Sequence, residues 1–361
     1  MFEIIIYILL ILSLIYGFYF LIMASGVFRK KKCEIDNNKK NHFAILIAAR
    51  NEETVIKNLI NSLKKQNYPS NKYDVYVIVN NCTDNTLEVA KNAGAKIIEC
   101  KQKVKSKGEV LKYTFNKLKS NDEIDAYVIF DADNVVHREF LNKMNDSINC
   151  GYEVVQGFRD TKNICDNWLS TSYAILYYLQ SLFINKSRFN FGMSSFLNGT
   201  GFMVKKETID RYGYDPKTIT EDIEYTAICA INGIKIAFNE NAITYDEQVT
   251  DFKSSLKQRK RWSFGAIQCL KNYTGSLIKE GIKNKRFECF DVIIFYFGII
   301  FHVLFTIVSL IGIFYNVFYL NNFNSMDVVI YFIMFLINYF IGVVFRMIVI
   351  KKCNKSIKEN I

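Results

Sequence analysis

The stretch AYVIFDAD, residues 126–133, is an apolar run that ends on two aspartates separated by one residue. An apolar run of this length followed by acidic residues is typical of a buried strand whose carboxyl end reaches the surface. In extended backbone, residues i and i+2 point to the same side, so Asp131 and Asp133 can converge on one cation. Carboxylate oxygens suit Mg²⁺ or Mn²⁺, although a solvated acidic turn has the same composition.

On either side of this stretch, short apolar runs alternate with amphipathic ones. The predicted strands and helices follow one another along the chain at residues 43–48, 52–66, 75–79, 83–92, 96–98 and 107–118, with Thr83 as a helix N-cap. This alternation predicts an α/β fold with a mostly parallel sheet covered by helices on both faces. In such sheets, ligands bind at the carboxyl ends of the strands.

Two further motifs lie downstream. Thr220-Glu221-Asp222 opens a predicted helix that runs to Ile231, although an N-cap threonine followed by acidic residues is also an ordinary helix start. On a helix, Gln258, Arg261 and Trp262 share a face and bring an amide, a guanidinium and an indole together. Arginine suits a diphosphate and tryptophan suits a sugar ring, but a basic helix anchored at a membrane surface has the same residues.

Three long runs without a charged residue flank this region, at residues 4–28, 292–326 and 328–345. A bilayer's hydrocarbon core takes about 20 apolar residues, so each run is predicted to be a transmembrane helix, one N-terminal and two C-terminal. Basic residues follow the first run at 29–32 and the third at 346–355. They predict a multi-pass protein of the cell membrane with a cytoplasmic middle, the N-terminus outside and the C-terminus inside.

The chain is basic, with a formal net charge of +11 from 46 Lys and Arg against 35 Asp and Glu. Much of the excess lies beside the apolar runs, which indicates contact with anionic membrane lipids and not with nucleic acid. Nine cysteines form no Cys-x-x-Cys pair, which predicts reduced thiols and argues against structural zinc.

The motifs at 131–133, 220–222 and 258–262, in this order, resemble those of the membrane-bound, processive glycosyltransferases of family 2. Cellulose, chitin and hyaluronan synthases are members of this kind. Other stretches are similar to the family as well, namely ARNEE at 49–53, TDNT at 83–86, KSKG at 105–108 and NGTG at 198–201. The resemblance covers about residues 40 to 270 and implies a GT-A-like, Rossmann-like cytoplasmic domain.

The resemblance implies an inverting enzyme that moves a hexose or N-acetylhexosamine from a UDP-sugar to a growing β-linked polysaccharide. Asp222 would be the catalytic base, and Asp131 and Asp133 would bind Mg²⁺ or Mn²⁺. The residues implied to bind the nucleotide sugar are Ala49, Asn51, Glu52, Asn80, Asp84, Lys107, Asp131 and Arg261. The residues implied to bind the acceptor are Glu221, Gln258 and Trp262.

One position departs from the family pattern. The family usually has an aspartate after the second strand that reads the uracil, and Asn80 stands in its place. The amide oxygen of an asparagine can still accept a hydrogen bond from uracil N3–H. The resemblance therefore still implies uridine recognition at this position, without the negative charge.

Alternatives to a polysaccharide synthase stay open. Glycolipid synthases have the same motifs and transfer sugar to a membrane lipid, and an inactive membrane-anchored binding protein is a third hypothesis. The expected partners are a UDP-sugar, a glycan or lipid acceptor, membrane lipids, and a second copy or an export partner, because three helices are too few for a channel. The predicted boundaries are a transmembrane helix at 1–28, the glycosyltransferase domain at 29–252, amphipathic interfacial helices at 253–288, two transmembrane helices at 289–350 and a cytoplasmic tail at 351–361.

Overall fold

The computed structural model describes residues 2–31, 39–104, 106–298, 300 and 307. The chain divides into two compact units, one being Ile22–Phe297 and the other comprising Met1–Leu21 with Gly298–Ile361. All the sequence motifs described above lie in the unit Ile22–Phe297. The predicted domain boundaries stay predictions.

An eight-stranded sheet forms the core of this unit. Its strands are β1 (Phe43–Ala49), β2 (Tyr73–Val79), β3 (Lys96–Glu99), β4 (Ala126–Asp131), β5 (Val135–Val136), β6 (Val154–Thr161), β7 (Phe202–Lys205) and β8 (Ile236–Asp246). They are arranged in the order β3-β2-β1-β4-β7-β6-β8-β5, and only β7 and β5 run antiparallel to their neighbours. The carboxyl ends of β1, β2, β4, β6 and β8 therefore meet at one edge of the sheet.

Helices cover both faces of the sheet. The helices of the unit Ile22–Phe297 are α2 (Ile56–Lys64), α3 (Thr86–Asn92), α4 (Lys107–Leu118), α5 (Phe140–Asn149), α6 (Trp168–Leu179), α7 (Ser187–Asn190), α8 (Lys206–Tyr212), α9 (Glu221–Asn232) and α10 (Phe252–Lys283). The helix α1 (Phe2–Ala24) lies mostly in the other unit. A π-helical turn, Gln180–Lys186, joins α6 to α7, and residues 287–298 are helical. Side chains of β1 alternate between the faces, so Ile45 packs with α2 and α5, whereas Leu46 packs with α4 and α9. The predicted mostly parallel α/β sheet is confirmed.

Two helix starts differ from the prediction. The helix expected from residue 52 begins at Ile56, because residues 50–55 form the loop that leaves β1. The helix expected to be capped by Thr83 begins at Thr86, with Asn85 as its N-cap. Both shifts lengthen the loops at the carboxyl edge of the sheet, where the predicted nucleotide-binding residues lie.

The prediction of three transmembrane helices is wrong for the part of the chain that the structure describes, where no helix combines the length and apolarity needed to cross a membrane. The first run, residues 4–28, does not form one helix, because α1 ends at Ala24 and Ser25–Phe28 is a 3-10 turn. A Cβ at Gly26 would lie 2.6 Å from the ring of Phe191, so this turn packs tightly against α7 and the residue after it. The lack of charged residues in a run shows only its composition. Here the end of the run packs against other residues of the protein.

The second and third predicted spans lie outside the described residues, apart from the helical segment 292–298 and residues 300 and 307. The predictions of a multi-pass localisation and of the orientation of the termini depended on the same three runs. They are wrong for the same reason.

The cysteines also differ from the prediction at one position. Six described cysteines are free, namely Cys82, Cys100, Cys165, Cys229, Cys269 and Cys289. Cys150 is disulfide-bonded, so the prediction of reduced thiols is wrong for this residue. Spacing along the sequence could not reveal it, because a disulfide depends on which Cβ atoms the fold brings together.

Candidate active site

Lys107, the first residue of α4, lies at the centre of the carboxyl edge of the sheet. Its Nζ donates to Asp131 Oδ1 at 2.5 Å and to the carbonyl oxygen of Gly199 at 2.7 Å. The same Nζ is 3.9 Å from Glu221 Oε1. One ammonium group therefore connects the end of β4, the loop before β7 and the first residue of α9.

Close backbone approach makes this arrangement possible. Ser106 caps α4 by accepting a hydrogen bond from the backbone N–H of Glu109 at 3.2 Å. A Cβ at Gly108 would lie 2.6 Å from Pro216 and 2.9 Å from Glu221 Cβ. The absence of a side chain at this position lets α4 start directly against α9, which brings Lys107 to the acidic residues.

The carboxylate of Asp222 faces the loop before β7. Its Oδ2 would be 3.2 Å from a Cβ at Gly199, a residue whose φ of +80° favours glycine. Burial raises the pKa of Asp222, against the backbone N–H of Ile223 and the charge of Lys107, which favour the ionised form. The pKa of Glu221 is raised to about 7, mainly by burial. The positive charge of Lys107 opposes this rise, whereas the negative charge of Asp222 contributes to it.

A second acidic group surrounds Asp133. The buried Asn134 donates through Nδ2 to Asp133 Oδ1 at 3.2 Å and to Asp246 Oδ1 at 2.8 Å. Burial, together with the negative charges of Asp246 and Asp131, raises the pKa of Asp133 to about 7. The positive charges of Lys162 and Arg159 act in the opposite direction and lower this pKa.

The residues present fit a divalent cation that is held in part by its substrate. Among the described residues, no group of three or more His, Cys, Asp or Glu side chains is arranged as a metal site. Mg²⁺ needs only one or two carboxylates when phosphate and water supply its other ligands. Asp131 and Asp133 would provide these two carboxylates. Burial, and then the negative charges of Asp246 and Asp131, raise the pKa of Asp133, and a cation at this place would offset those charges.

Arg159 and Asp246 belong to this site but were not among the predicted residues. Arg159 Nε donates to Asp246 Oδ2 at 2.8 Å, and its Nη1 donates to the carbonyl oxygen of Asn198 at 2.9 Å. Its guanidinium lies 3.8 Å from the ring centroid of Tyr177. Only their positions could have indicated them in the sequence, because both residues lie near the ends of β6 and β8, which finish at this edge.

The predicted nucleotide-binding loops bind each other. Asn51 Oδ1 accepts from the N–H of Thr83 at 2.8 Å, and the N–H of Glu52 donates to Thr86 Oγ1 at 2.8 Å. Asp84 Oδ1 accepts from the Thr86 hydroxyl at 2.6 Å. These bonds join the loop after β1 to the loop after β2. Burial raises the pKa of Glu52, and the charge of Asp131 adds to the shift, which puts Glu52 close to the acidic site.

The side-chain amide of Asn80 is hydrogen-bonded within the protein. Its backbone N–H donates to the carbonyl oxygen of Ala49 at 3.2 Å, which joins the ends of β1 and β2. Its Nδ2 donates to the carbonyl oxygens of Cys100 at 3.0 Å and Gln102 at 3.4 Å. An aspartate here would place a carboxylate against two carbonyl oxygens, so the loop after β3 favours the asparagine that departs from the family pattern.

The predicted common face of Gln258, Arg261 and Trp262 on α10 is divided. Gln258 and Arg261 line a groove of about 660 Å³, together with Ile219, Ser254, Lys257, Lys260 and Phe264. Trp262 packs instead with α6, with its ring edge-on to Tyr173 and Tyr177 at centroid distances of 6.0 and 6.3 Å. Arg159 pairs with Asp246 in the acidic group around Asp133, whereas Arg261 is exposed in the groove.

The comparison of the chain with known protein families agrees with this geometry. Residues 40–265 match the family described as "Glycosyltransferase like family 2". The chain belongs to this family. Membership of a glycosyltransferase family supports the prediction of an enzyme, and the hypothesis of an inactive binding protein stays a prediction.

Two curated relatives illustrate the range of the family. The chain is 24% identical over 283 residues to the probable glycosyltransferase YdaM of Bacillus subtilis, covering 71% of this chain and 64% of that protein. It is 24% identical over 233 residues to a beta-monoglucosyldiacylglycerol synthase of Synechocystis, covering 63% of this chain and 48% of the relative. The chain thus spans about half to two thirds of the length of these relatives.

Among solved structures, a mannosyltransferase from Pyrobaculum calidifontis in complex with GDP-Man and Mn²⁺ aligns with a TM-score of 0.59. The alignment covers 88% of this chain and 93% of that one at 12% sequence identity. At this identity the similarity shows the fold alone. The predicted GT-A-like fold is confirmed, and the specific resemblance to processive synthases stays a prediction.

Proposed function

We propose that this glycosyltransferase moves a hexose from a UDP-sugar to a hydroxyl group of a membrane lipid, with inversion at the anomeric carbon. The convergence of Asp222, Lys107 and Asp131 at the carboxyl edge of the sheet carries the catalytic part of the proposal. Asp222 is the base that takes the proton of the acceptor hydroxyl. Its raised pKa supports this role, because a base works best when its pKa approaches the working pH.

The donor occupies the loops after β1, β2 and β4. Asn51, Glu52 and Asp84 hold the first two loops together, and Asn80 Oδ1 is the acceptor proposed for the uracil N3–H. Asp131 and Asp133 hold Mg²⁺ or Mn²⁺, which when bound supplies positive charge for the departing diphosphate. Lys107 provides a second, permanent positive charge at the same edge.

The acceptor proposal depends on the groove beside α10. Ile219 and Phe264 give it an apolar part, and Lys257, Lys260 and Arg261 give it a cationic part. Such a lining suits a molecule with an apolar chain and a polar or anionic head. Ile219, which lines the groove, is two residues before Glu221 in the chain. A lipid that contacts Ile219 therefore contacts the segment that leads into the catalytic motif. The named activity of the Synechocystis relative, a diacylglycerol glycolipid synthase, supports the same acceptor class.

The test uses the full chain, radiolabelled UDP-glucose, UDP-galactose or UDP-N-acetylglucosamine, and vesicles with or without diacylglycerol. We expect radiolabel in the chloroform-soluble fraction only when diacylglycerol is present, with a β-linkage in the product by NMR. Label in an insoluble polymer without any lipid requirement would favour the polysaccharide hypothesis. Absence of transfer from every UDP-sugar would overturn the proposal. A second copy or an export partner stays a prediction.

A further inference from the structure

Helix α10 packs directly on the loop before Asp222, and Gly265 is the point of contact. A Cβ at Gly265 would lie 2.8 Å from Thr220 Cβ, 2.5 Å from its Cγ2 and closer still to its Oγ1. Thr220 is the N-cap residue of α9, but its side chain makes no capping bond. In the described part of the chain, its buried Oγ1 has no hydrogen-bond partner. This threonine therefore packs against α10 and does not cap its own helix.

Two polar contacts lie beside this point. Gln268 Oε1, on α10, accepts from the backbone N–H of Ile219 at 3.2 Å. Tyr273, one and a half turns further along α10, donates its hydroxyl proton to Glu224 Oε1. The first contact connects α10 with the segment that leads into the catalytic motif, and the second connects α10 with α9 directly after that motif.

Glu224 holds the same segment from the other side. Its fully buried carboxylate accepts from the backbone N–H groups of Lys217 at 2.8 Å and of Thr218 at 2.7 Å. Residues 217–220, here called the 217–220 loop, are thus fixed by α9 at one end and by α10 along their length. Asp222 follows this loop after one residue, so its position depends on both helices.

We propose that Gly265, Gln268 and Tyr273 are positioning residues that hold Asp222 in its catalytic place through the 217–220 loop. Ile219 belongs to this loop and lines the acceptor groove, so an acceptor bound there contacts the loop and α10 together. Filling of the groove is thereby coupled to the placement of the base. The inference rests on the proposed function, because it takes Asp222 as the base.

The chain contains its own controls, since α10 has three glycines in different surroundings. Gly265 packs on Thr220, and a Cβ at Gly281 would lie 2.8 Å from the ring of Phe290, far along the helix. A Cβ at Gly275 would meet nothing within 4 Å. Gly281→Ala therefore introduces a comparable clash away from the 217–220 loop, and Gly275→Ala introduces none.

The experiment compares kcat, donor KM, Tm and the hydrogen exchange of the amides of residues 217–222 in these three variants. We expect Gly265→Ala to lower kcat roughly tenfold or more, since small misplacements of reacting groups have effects up to about 100-fold. Donor KM should stay within about twofold, and the amides of 217–222 should exchange faster. Gly281→Ala should lower Tm but keep kcat, and Gly275→Ala should keep kcat and raise Tm slightly, because alanine favours a helix over glycine. Equal losses of kcat in Gly265→Ala and Gly281→Ala at matched Tm would overturn the proposal.

Two further variants keep the test decisive. Gln268→Met removes the acceptor for the Ile219 N–H without a clash, and it should also lower kcat and speed exchange of the loop if Gly265→Ala does not fold. Adding Thr220→Gly to Gly265→Ala removes the steric conflict and should restore a large part of kcat. If the wild-type protein transfers no sugar, the proposed function fails, whereas the exchange measurement still decides whether α10 holds the 217–220 loop.

Discussion

The carboxyl edge of the sheet and the exposed face of α10 contrast with each other, although motifs in both were predicted to bind substrate. At the sheet edge, Lys107 Nζ lies 2.5 Å from Asp131 Oδ1 and 3.9 Å from Glu221 Oε1, in buried or partly buried surroundings. On α10, Arg261 is exposed in an open groove. Buried and paired charges are preorganised before the substrate binds, whereas exposed side chains become ordered only when a ligand binds.

This difference assigns separate tasks to the two regions. A site that stabilises charge must be preorganised, and the sheet edge has this property. A surface that receives a lipid or glycan must stay accessible, and the groove of α10 has this property. We therefore expect changes at the sheet edge to lower kcat, and changes in the groove to act mainly on acceptor KM.

The largest effect is expected for Asp222→Asn. An amide cannot take a proton, and a general base contributes on the order of 10² to 10⁴-fold, so kcat should fall by this factor. The dissociation constant of UDP, measured by calorimetry, should not change. Asp122→Asn, in which the original side chain is almost fully exposed, is the matched control and should be silent. Normal turnover of Asp222→Asn would move the base to another residue, with Glu221 as the first candidate.

A smaller but still large effect is expected for Asp133→Asn. Removing a direct metal ligand should weaken activation by Mg²⁺ or Mn²⁺ by at least about tenfold, since even an outer partner of a metal site contributes 10- to 100-fold. Titration of activity with metal after EDTA treatment measures this shift, and excess EDTA should abolish wild-type activity. An unchanged metal titration would place the cation away from Asp133 and would separate the sheet edge from donor activation.

The pH dependence sharpens the contrast further. Burial raises the pKa of Asp222, and the base is protonated and inactive below this pKa. The acid limb of kcat/KM should therefore lie above the ordinary aspartate pKa of about 3.9. Lys107→Met removes a charge that opposes this rise and should shift the acid limb to higher pH. Lys112→Met, on the same helix but in an exposed ion pair, should leave the limb in place. Identical limbs in both variants would exclude an electrostatic role of Lys107 toward the base.

The smallest effect is expected for Asn80→Asp. The new carboxylate would lose two hydrogen bonds to the carbonyl oxygens of Cys100 and Gln102, at a cost of about 1–3 kcal/mol. The free energy of unfolding should fall by this amount, and the dissociation constant of UDP should change measurably. Asn71→Asp, at an exposed position before β2, is the control and should change neither. Unchanged UDP binding would mean that the base is read by other groups.

The sequence by itself determined the sheet and the position of its acidic edge. The apolar runs of β1, β2 and β4 have a local period and length that indicate strands, and parallel strands necessarily bring their carboxyl ends together. Asp131 and Asp133 follow directly from the end of β4. The motif at 220–222 could be predicted to meet them only through the family resemblance, because nothing local ties residue 222 to residue 131.

Other features were decided only by the tertiary structure. Arg159 and Asp246 pair between β6 and β8, which are far apart in the chain and share no motif. The split of Gln258 and Arg261 from Trp262 depends on α6, whose tyrosines take the indole. The contact of Gly26, at the end of the run 4–28, with Phe191 also joins two segments that lie far apart in the chain. Gly265 was no signal in the sequence either, since a glycine shows its purpose only when the atom that fills its space, here Thr220, comes from another element. Local patterns report what one segment prefers, whereas each of these contacts depends on two segments that only the packed fold brings together.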